Sequence, residues 1–217
     1  MKKFPVGIQT FFELIQKNYV YVDKTKHIYD LITTGKYYFF ARPRRFGKSL
    51  LVSTLAEIFS GNKRLFTDFF IYSSDYDWKK HPVIKIAFSD IPCSTPEELE
   101  EGIILHLNII AKKYGVILEH DGLPSQMLQE LVRNLSKNNK VVLLIDEYDY
   151  PILQHVSDVE MADKMCDVLN NFYAVIQGLD KYFEFVFVVG VGRIPTRSIY
   201  SVLDYLEDIS SRYKDLL

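Results

Sequence analysis

Three consecutive residues, Gly47, Lys48 and Ser49, have the chemistry of a phosphate site. The glycine leaves backbone amides bare, the lysine supplies a flexible cation, and the serine hydroxyl can ligate magnesium. Such a loop works where a strand turns into a helix, so that the helix N-terminus faces the phosphates. The whole segment reads Arg42-Pro43-Arg44-Arg45-Phe46-Gly47-Lys48-Ser49-Leu50. By the strict pattern it is degenerate, because Arg42 stands where the first loop glycine would be. A Gly-Lys-Ser triplet also arises by chance, so its meaning depends on its flanks.

A second group of candidates ends the most apolar run of the chain. Val141-Val142-Leu143-Leu144-Ile145 is followed by Asp146 and Glu147. A carboxylate at the end of a buried strand is costly unless something satisfies it. Asp146 is placed to hold magnesium through water, as a Walker B aspartate does, and Glu147 to polarise an attacking water as general base. Alone, the two acids could simply begin an exposed loop. Together with the Gly-Lys-Ser loop, each supplies the context that the other needs. A third strand ends Val188-Val189-Gly190-Val191-Gly192-Arg193. A polar side chain here would sense a γ-phosphate, and Val189 cannot donate a hydrogen bond. Arg193 could reach phosphates as an internal arginine finger or be a surface arginine.

The elements that must position these residues are readable in outline. Tyr37 to Ala41 is a short aromatic run bounded by Gly35 and Pro43, and predicts a buried strand. From Ser49 the apolar spacing turns helical through Leu51, Leu55, Ile58 and Phe59, and Gly61 ends the helix. Val83 to Phe88 and Phe183 to Val191 predict further strands. Helices are expected from Thr95, as N-cap with Glu98 three residues on, to Lys113, from Ser125 to Ser136, and from Val159 to Gly178. Asp23 is placed to cap a helix running to Ile32. The segment from Thr196 to Leu217 is expected to be partly helical, with a short edge strand near Leu206 to Ser210. Strands alternating with helices mean a mainly parallel sheet covered on both faces. The predicted class is α/β, a P-loop NTPase three-layer sandwich. Ligands of such sheets sit at the C-terminal strand ends, where all three candidate groups fall.

Composition excludes more than it assigns. The 217 residues suit one domain, residues 1–35 as an N-terminal segment and 36–217 as a nucleotide-binding core. Lys plus Arg is 26 against 28 for Asp plus Glu, so bulk charge gives no case for nucleic acid or membrane. Cys93 and Cys166 lack metal-ligand spacing and are expected as free thiols. No run approaches the roughly 18 apolar residues of a membrane span, and no signal-peptide core is visible, so a cytoplasmic location is expected.

The motif strings resemble the AAA-ATPase-like family of P-loop proteins. The resemblance rests on Pro5-Val6-Gly7-Ile8, Tyr21-Val22-Asp23-Lys24-Thr25, Arg42 to Ser49, Leu144-Ile145-Asp146-Glu147-Tyr148-Asp149 with Pro151, Gly190-Val191 with Arg193, and Leu206-Glu207-Asp208-Ile209. It implies that an arginine at position 42 is the family's own pattern, and that the Tyr21–Thr25 segment lines the base pocket. It also implies that a PD-(D/E)XK nuclease commonly follows, beginning with the lid about where this sequence stops. The sequence departs from the family at Val189, usually Thr, at Gly192, usually Ser, and at Ile194-Pro195-Thr196-Arg197, usually a loop rich in phenylalanine and serine.

The resulting expectation is a domain that binds ATP with Mg²⁺ and hydrolyses it slowly, driving or gating an attached or partner effector. Lys48 would contact the β and γ phosphates, Ser49 and Asp146 would serve the metal, and Glu147 would activate water. Arg44, Arg45 and Arg193 would neutralise phosphate charge. The alternatives are a nucleotide switch that barely turns over, favoured by Val189, and a nucleic-acid-handling module using Arg42, Arg44 and Arg45. Oligomeric state has no signature in the sequence.

Overall fold

The computed structural model describes residues 3–120, 122–192 and 204–212. Its centre is a five-stranded sheet in which every pairing is parallel. The strands are β1 (Tyr37–Ala41), β2 (Val83–Ala87), β3 (Val141–Asp146), β4 (Phe183–Gly190) and β5 (Glu207–Asp208), in the spatial order β2-β3-β4-β1-β5. β1, which leads into the Arg42–Gly47 loop, and β3, which ends in Asp146, are therefore not neighbours. β4 lies between them, with Phe40 opposite Val189 on one side and Ile145 opposite Val188 on the other.

Period-two alternation divides the apolar strand residues between two cores. Tyr38, Phe40, Val142, Leu144, Phe185, Phe187 and Val189 face α3 (Lys48–Phe59), with α1 (Phe11–Gln16), α2 (Thr25–Thr34) and α4 (Phe70–Ser73) on the same side. Phe39, Leu143, Ile145, Val186 and Val188 face α5 (Pro96–Lys113), α6 (Pro124–Leu135) and α8 (Val159–Gly178). Short α7 (Tyr150–Leu153) follows β3 directly. The result is the three-layer α/β sandwich expected from the sequence.

Helix starts follow their local chemistry. Thr95 caps α5 by accepting from the Glu98 amide at 3.2 Å, while the Glu98 carboxylate accepts from the Ser94 amide at 3.1 Å. Asp158 caps α8 through the Met161 amide. Asp23 stands one residue before the N-cap of α2, which is Lys24, rather than at it. Its carboxylate accepts from the amide and hydroxyl of Thr25 and, through its other oxygen, from the Phe70 amide. It thus ties two helix starts together instead of capping one. Of the C-terminal segment, residues 196–203 and 213–217 lie outside the described residues. The expected edge strand is present as β5 against β1.

The opposite edge, β2, is closed by side chains. The Tyr114 hydroxyl accepts from the Val83 amide at 2.8 Å and donates to the Val83 carbonyl at 3.2 Å. The His106 ring donates from Nε2 to the Lys85 carbonyl. Residues 83 and 85 direct their amides away from β3, so these contacts occupy groups that would otherwise template another strand. Tyr114→Phe should lower unfolding free energy by roughly 1–3 kcal/mol, the cost of an orphaned part-buried amide. Urea denaturation would measure this, and an unchanged midpoint would assign the contact no weight.

Candidate functional site

The loop from Arg42 to Gly47 bends through two left-handed residues, Arg45 at φ 69° and Gly47 at φ 79°, before α3 begins at Lys48. Alternating handedness of this kind turns successive amides inward and forms an anion-binding concavity. Arg44, Arg45 and Phe46 are exposed on the loop. Arg42 instead folds back, its guanidinium 4.6 Å from the Phe40 ring centroid and donating to the Ala41 carbonyl. Leu50, half-buried, packs against the α3 core.

Lys48 is 5% exposed. Its ammonium donates to the carbonyls of Arg42 at 2.9 Å and Pro43 at 3.0 Å. An ammonium has three donors, so one remains for a phosphate oxygen. Burial pulls the Lys48 pKa down. Asp149, Asp146 and Glu147, in that order of strength, oppose the shift, and Arg44 adds to it.

Asp146 lies on the α3 side of the sheet, continuing the alternation of Val142 and Leu144. This brings its carboxylate near the Ser49 hydroxyl, in the first turn of α3, although β4 separates β1 from β3. Burial raises the Asp146 pKa, and the Ser49 contact opposes the rise. Its Oδ1 is buried without a hydrogen-bond partner among the described residues. A hydroxyl beside a buried carboxylate with one unclaimed oxygen fits Mg²⁺, which takes hard oxygen ligands and fills its shell with water and phosphate. Glu147 follows at φ 53°, a left-handed conformation for a non-glycine residue, held by the Tyr150 amide on its carbonyl at 2.9 Å. Val189, one residue past the last β3–β4 register pair, Ile145 with Val188, is fully buried and packed into the α3 core. Arg193 lies outside the described residues.

Two residues that the sequence reading assigned no role complete the picture. Tyr148 donates its hydroxyl to the Gly192 carbonyl at 2.8 Å and its amide to the Val189 carbonyl at 3.1 Å. Asp149, 1% exposed, accepts on Oδ2 from the amides of Val191 at 2.7 Å and Gly192 at 3.3 Å. Burial raises the Asp149 pKa, against these two hydrogen bonds. An acid whose folded-state pKa is raised favours folding below its unfolded pKa, and that contribution is lost as pH rises through the folded value. Asp146 and Asp149 therefore both weaken the fold as pH rises through their raised pKa values, with Lys48 offsetting part of that cost. The signal for Asp149 in the sequence was a second acid three residues past the strand end, which without tertiary contacts is indistinguishable from a loop carboxylate.

The approach of this loop to β4 is close. A Cβ on Gly190 would lie 2.5 Å from two Tyr148 ring atoms and 2.8 Å from Asp149 Oδ2. Gly190→Ala should therefore cost about 1–3 kcal/mol of stability and displace the Asp146–Asp149 loop. A denaturation midpoint equal to wild type would contradict this contact.

Beside the phosphate loop, Pro5, Leu14, Tyr21, Val22, Phe46 and Leu50 line an apolar cavity of about 200 Å³. Tyr21 contributes its side while its ring packs edge-on against Phe11 and Phe69. Among the described residues no helix is long and apolar enough to cross a membrane.

Comparison with known proteins gives these features a family. An uncharacterized protein in the vnfD 5' region of Azotobacter chroococcum mcd 1 is 39% identical over 221 residues, covering 99% of this chain. The chain spans 42% of that relative's length. Chains in two structures of Drosophila ORC, bound with Cdc6 to poly(dA/dT) DNA and to GC-rich DNA, align over 92% of this chain and 28% of theirs. They do so at 10% and 11% identity, with TM-scores of 0.42 and 0.39. Residues 5–200 match the family described as predicted AAA-ATPase. With a parallel α/β sheet that brings its Gly-Lys-Ser loop to the strand-end acid, the chain belongs to the predicted AAA-ATPase family, and its general character is that of an ATP-binding domain.

Proposed function

We propose that this chain binds ATP together with Mg²⁺, hydrolyses it slowly, and uses the cycle to drive or gate an attached or partner effector. The observation that carries the reading is the meeting of Ser49 with Asp146, whose Oδ1 is buried and unclaimed among the described residues. Ser49 and Asp146 would hold Mg²⁺, which would supply charge neutralisation at the phosphates. Lys48 would hold the β and γ phosphates, the inward amides of residues 44–47 would cradle them, and Glu147 would orient and deprotonate water. Arg44 and Arg45, exposed at the loop, and Arg193 would add positive charge. The apolar cavity beside Phe46 and Tyr21 would take the base by shape and stacking. One nucleotide-binding unit and an effector, such as a nuclease, in a longer chain or in trans complete the proposal.

The test is calorimetric titration with Mg-ATP and with ATP in excess chelator. Saturable binding that weakens on chelation supports the reading, and no binding in either condition refutes it. A nucleotide switch with little turnover is favoured by one observation. The side chains of Val188, Val189 and Val191 at the end of β4 are apolar, and Val189 is enclosed by core. Binding with no product after one turnover time would select it.

A further inference from the structure

The end of β4 carries no polar side chain from residue 188 to 192, yet its backbone is held from both sides. From the phosphate loop, the Arg42 amide donates to the Gly190 carbonyl at 3.1 Å. From the other side, Tyr148 takes the carbonyls of Val189 and Gly192, and Asp149 takes the amides of Val191 and Gly192. Every one of these contacts involves backbone of residues 189–192, so they form one continuous strap across the strand that separates β1 from β3.

Asp149 is the costly part of this strap. A carboxylate at 1% exposure loses nearly all its hydration, and Oδ1 is buried with no hydrogen-bond partner among the described residues. Two amides on Oδ2 could be satisfied equally well by a neutral carbonyl or an exposed chain turn. A buried carboxylate with one oxygen unclaimed is a feature that stability alone does not favour. Its Oδ2 lies against Gly190, whose carbonyl accepts from the Arg42 amide, and the Arg42 carbonyl in turn accepts from the Lys48 ammonium at 2.9 Å. The same side chain therefore adjoins the backbone path from Lys48 to Gly190 and holds the β4 terminus through its hydrogen bonds.

We propose that Asp149 is a positioning residue that couples the phosphate end of the nucleotide to the backbone of residues 190–192, taking the place of a polar sensor side chain on β4. The inference rests on the nucleotide reading above. A γ-phosphate that engages Lys48 draws on the cation tied to the Arg42 carbonyl, and the Arg42 amide holds the Gly190 carbonyl beside Asp149. The carboxylate answers through the two amides it holds, and the β4 terminus becomes more firmly fixed with a triphosphate than with a diphosphate. Gly190 permits the arrangement, since a side chain there would collide with both Tyr148 and Asp149.

The experiment is hydrogen–deuterium exchange of the 186–192 segment with Mg-ADP and with a non-hydrolysable Mg-ATP analogue. It is run on wild type, Asp149→Ala, Asp149→Leu, which keeps the volume, and Asp149→Asn, which keeps a carbonyl acceptor. Affinities are measured in parallel by calorimetry. In wild type the triphosphate should slow exchange about tenfold more than the diphosphate, equivalent to one charge-assisted hydrogen bond. That difference should vanish in Asp149→Ala and Asp149→Leu while affinity stays within about threefold, since the phosphate cradle is intact. Asp149→Asn should restore part of it. The proposal is overturned if the difference survives in Asp149→Ala or Asp149→Leu, if wild type shows none, or if neither of these variants folds, which would assign the residue to structure alone. Absence of nucleotide binding by wild type would instead refute the nucleotide reading itself.

Discussion

Lys48→Ala should remove most nucleotide binding, lowering affinity for Mg-ATP by on the order of 100-fold. A hydrogen bond to a charged group contributes about 1.5–3 kcal/mol, and 1.4 kcal/mol is a factor of ten. Lys48 would offer such bonds from a site where burial strengthens them, since it is 5% exposed and already stripped of most water. Its attachment to the Arg42 and Pro43 carbonyls holds the ammonium over the concavity, so little side-chain freedom is lost on binding. Calorimetry on both proteins decides the matter, with a denaturation curve to show that the variant is folded. Equal affinity would remove the phosphate-loop assignment.

Glu147→Gln should leave Mg-ATP affinity nearly unchanged and lower turnover by about 100- to 10,000-fold, the usual range for loss of a general base. The substitution keeps size and removes only the basic oxygen. The phosphate contacts of Lys48 and the Ser49–Asp146 pair would be untouched. Glu147 is separated from those groups by the left-handed turn at φ 53°, which takes its side chain out of the alternation of β3 and leaves it half-buried. A base needs such access to water, whereas the buried Asp146 and Asp149 lack it. Single-turnover measurement with saturating Mg-ATP separates chemistry from product release. Turnover equal to wild type would move the general base elsewhere and leave Glu147 as a loop residue.

A comparison of sequence and structure divides along physical lines. Gly47-Lys48-Ser49 and the run Val141–Ile145 before Asp146 were legible because their signals are local: a turn residue with φ above zero, an unbroken apolar strand, a charge where the strand ends. The helix cap at Thr95 and the stop at Gly61 were legible for the same reason. The two-faced burial of β3 and β4 followed from apolar runs, broken in β4 only by the exposed Glu184 near its start. These determined an α/β class and a candidate phosphate loop without reference to distant residues.

Strand order was decided by tertiary structure alone. Nothing local in Phe183–Gly190 states that it lies between β1 and β3, because that position depends on which apolar faces find one another across the whole chain. The consequence reaches the site. The β4 terminus is the surface on which Tyr148 and Asp149 settle, so an acid that reads as an ordinary loop residue becomes buried and bonded to the Val191 and Gly192 amides. Asp23 shows the same effect at smaller scale: its nearest amide was foreseeable, but its bond to Phe70 was not, because 47 residues separate them. The edge closure by Tyr114 and His106 also arises between distant segments. The candidates for holding a phosphate and a metal were legible in the sequence; packing decided that Asp149 is buried against the end of β4, because burial and partner identity are properties of the assembled layers rather than of any one segment.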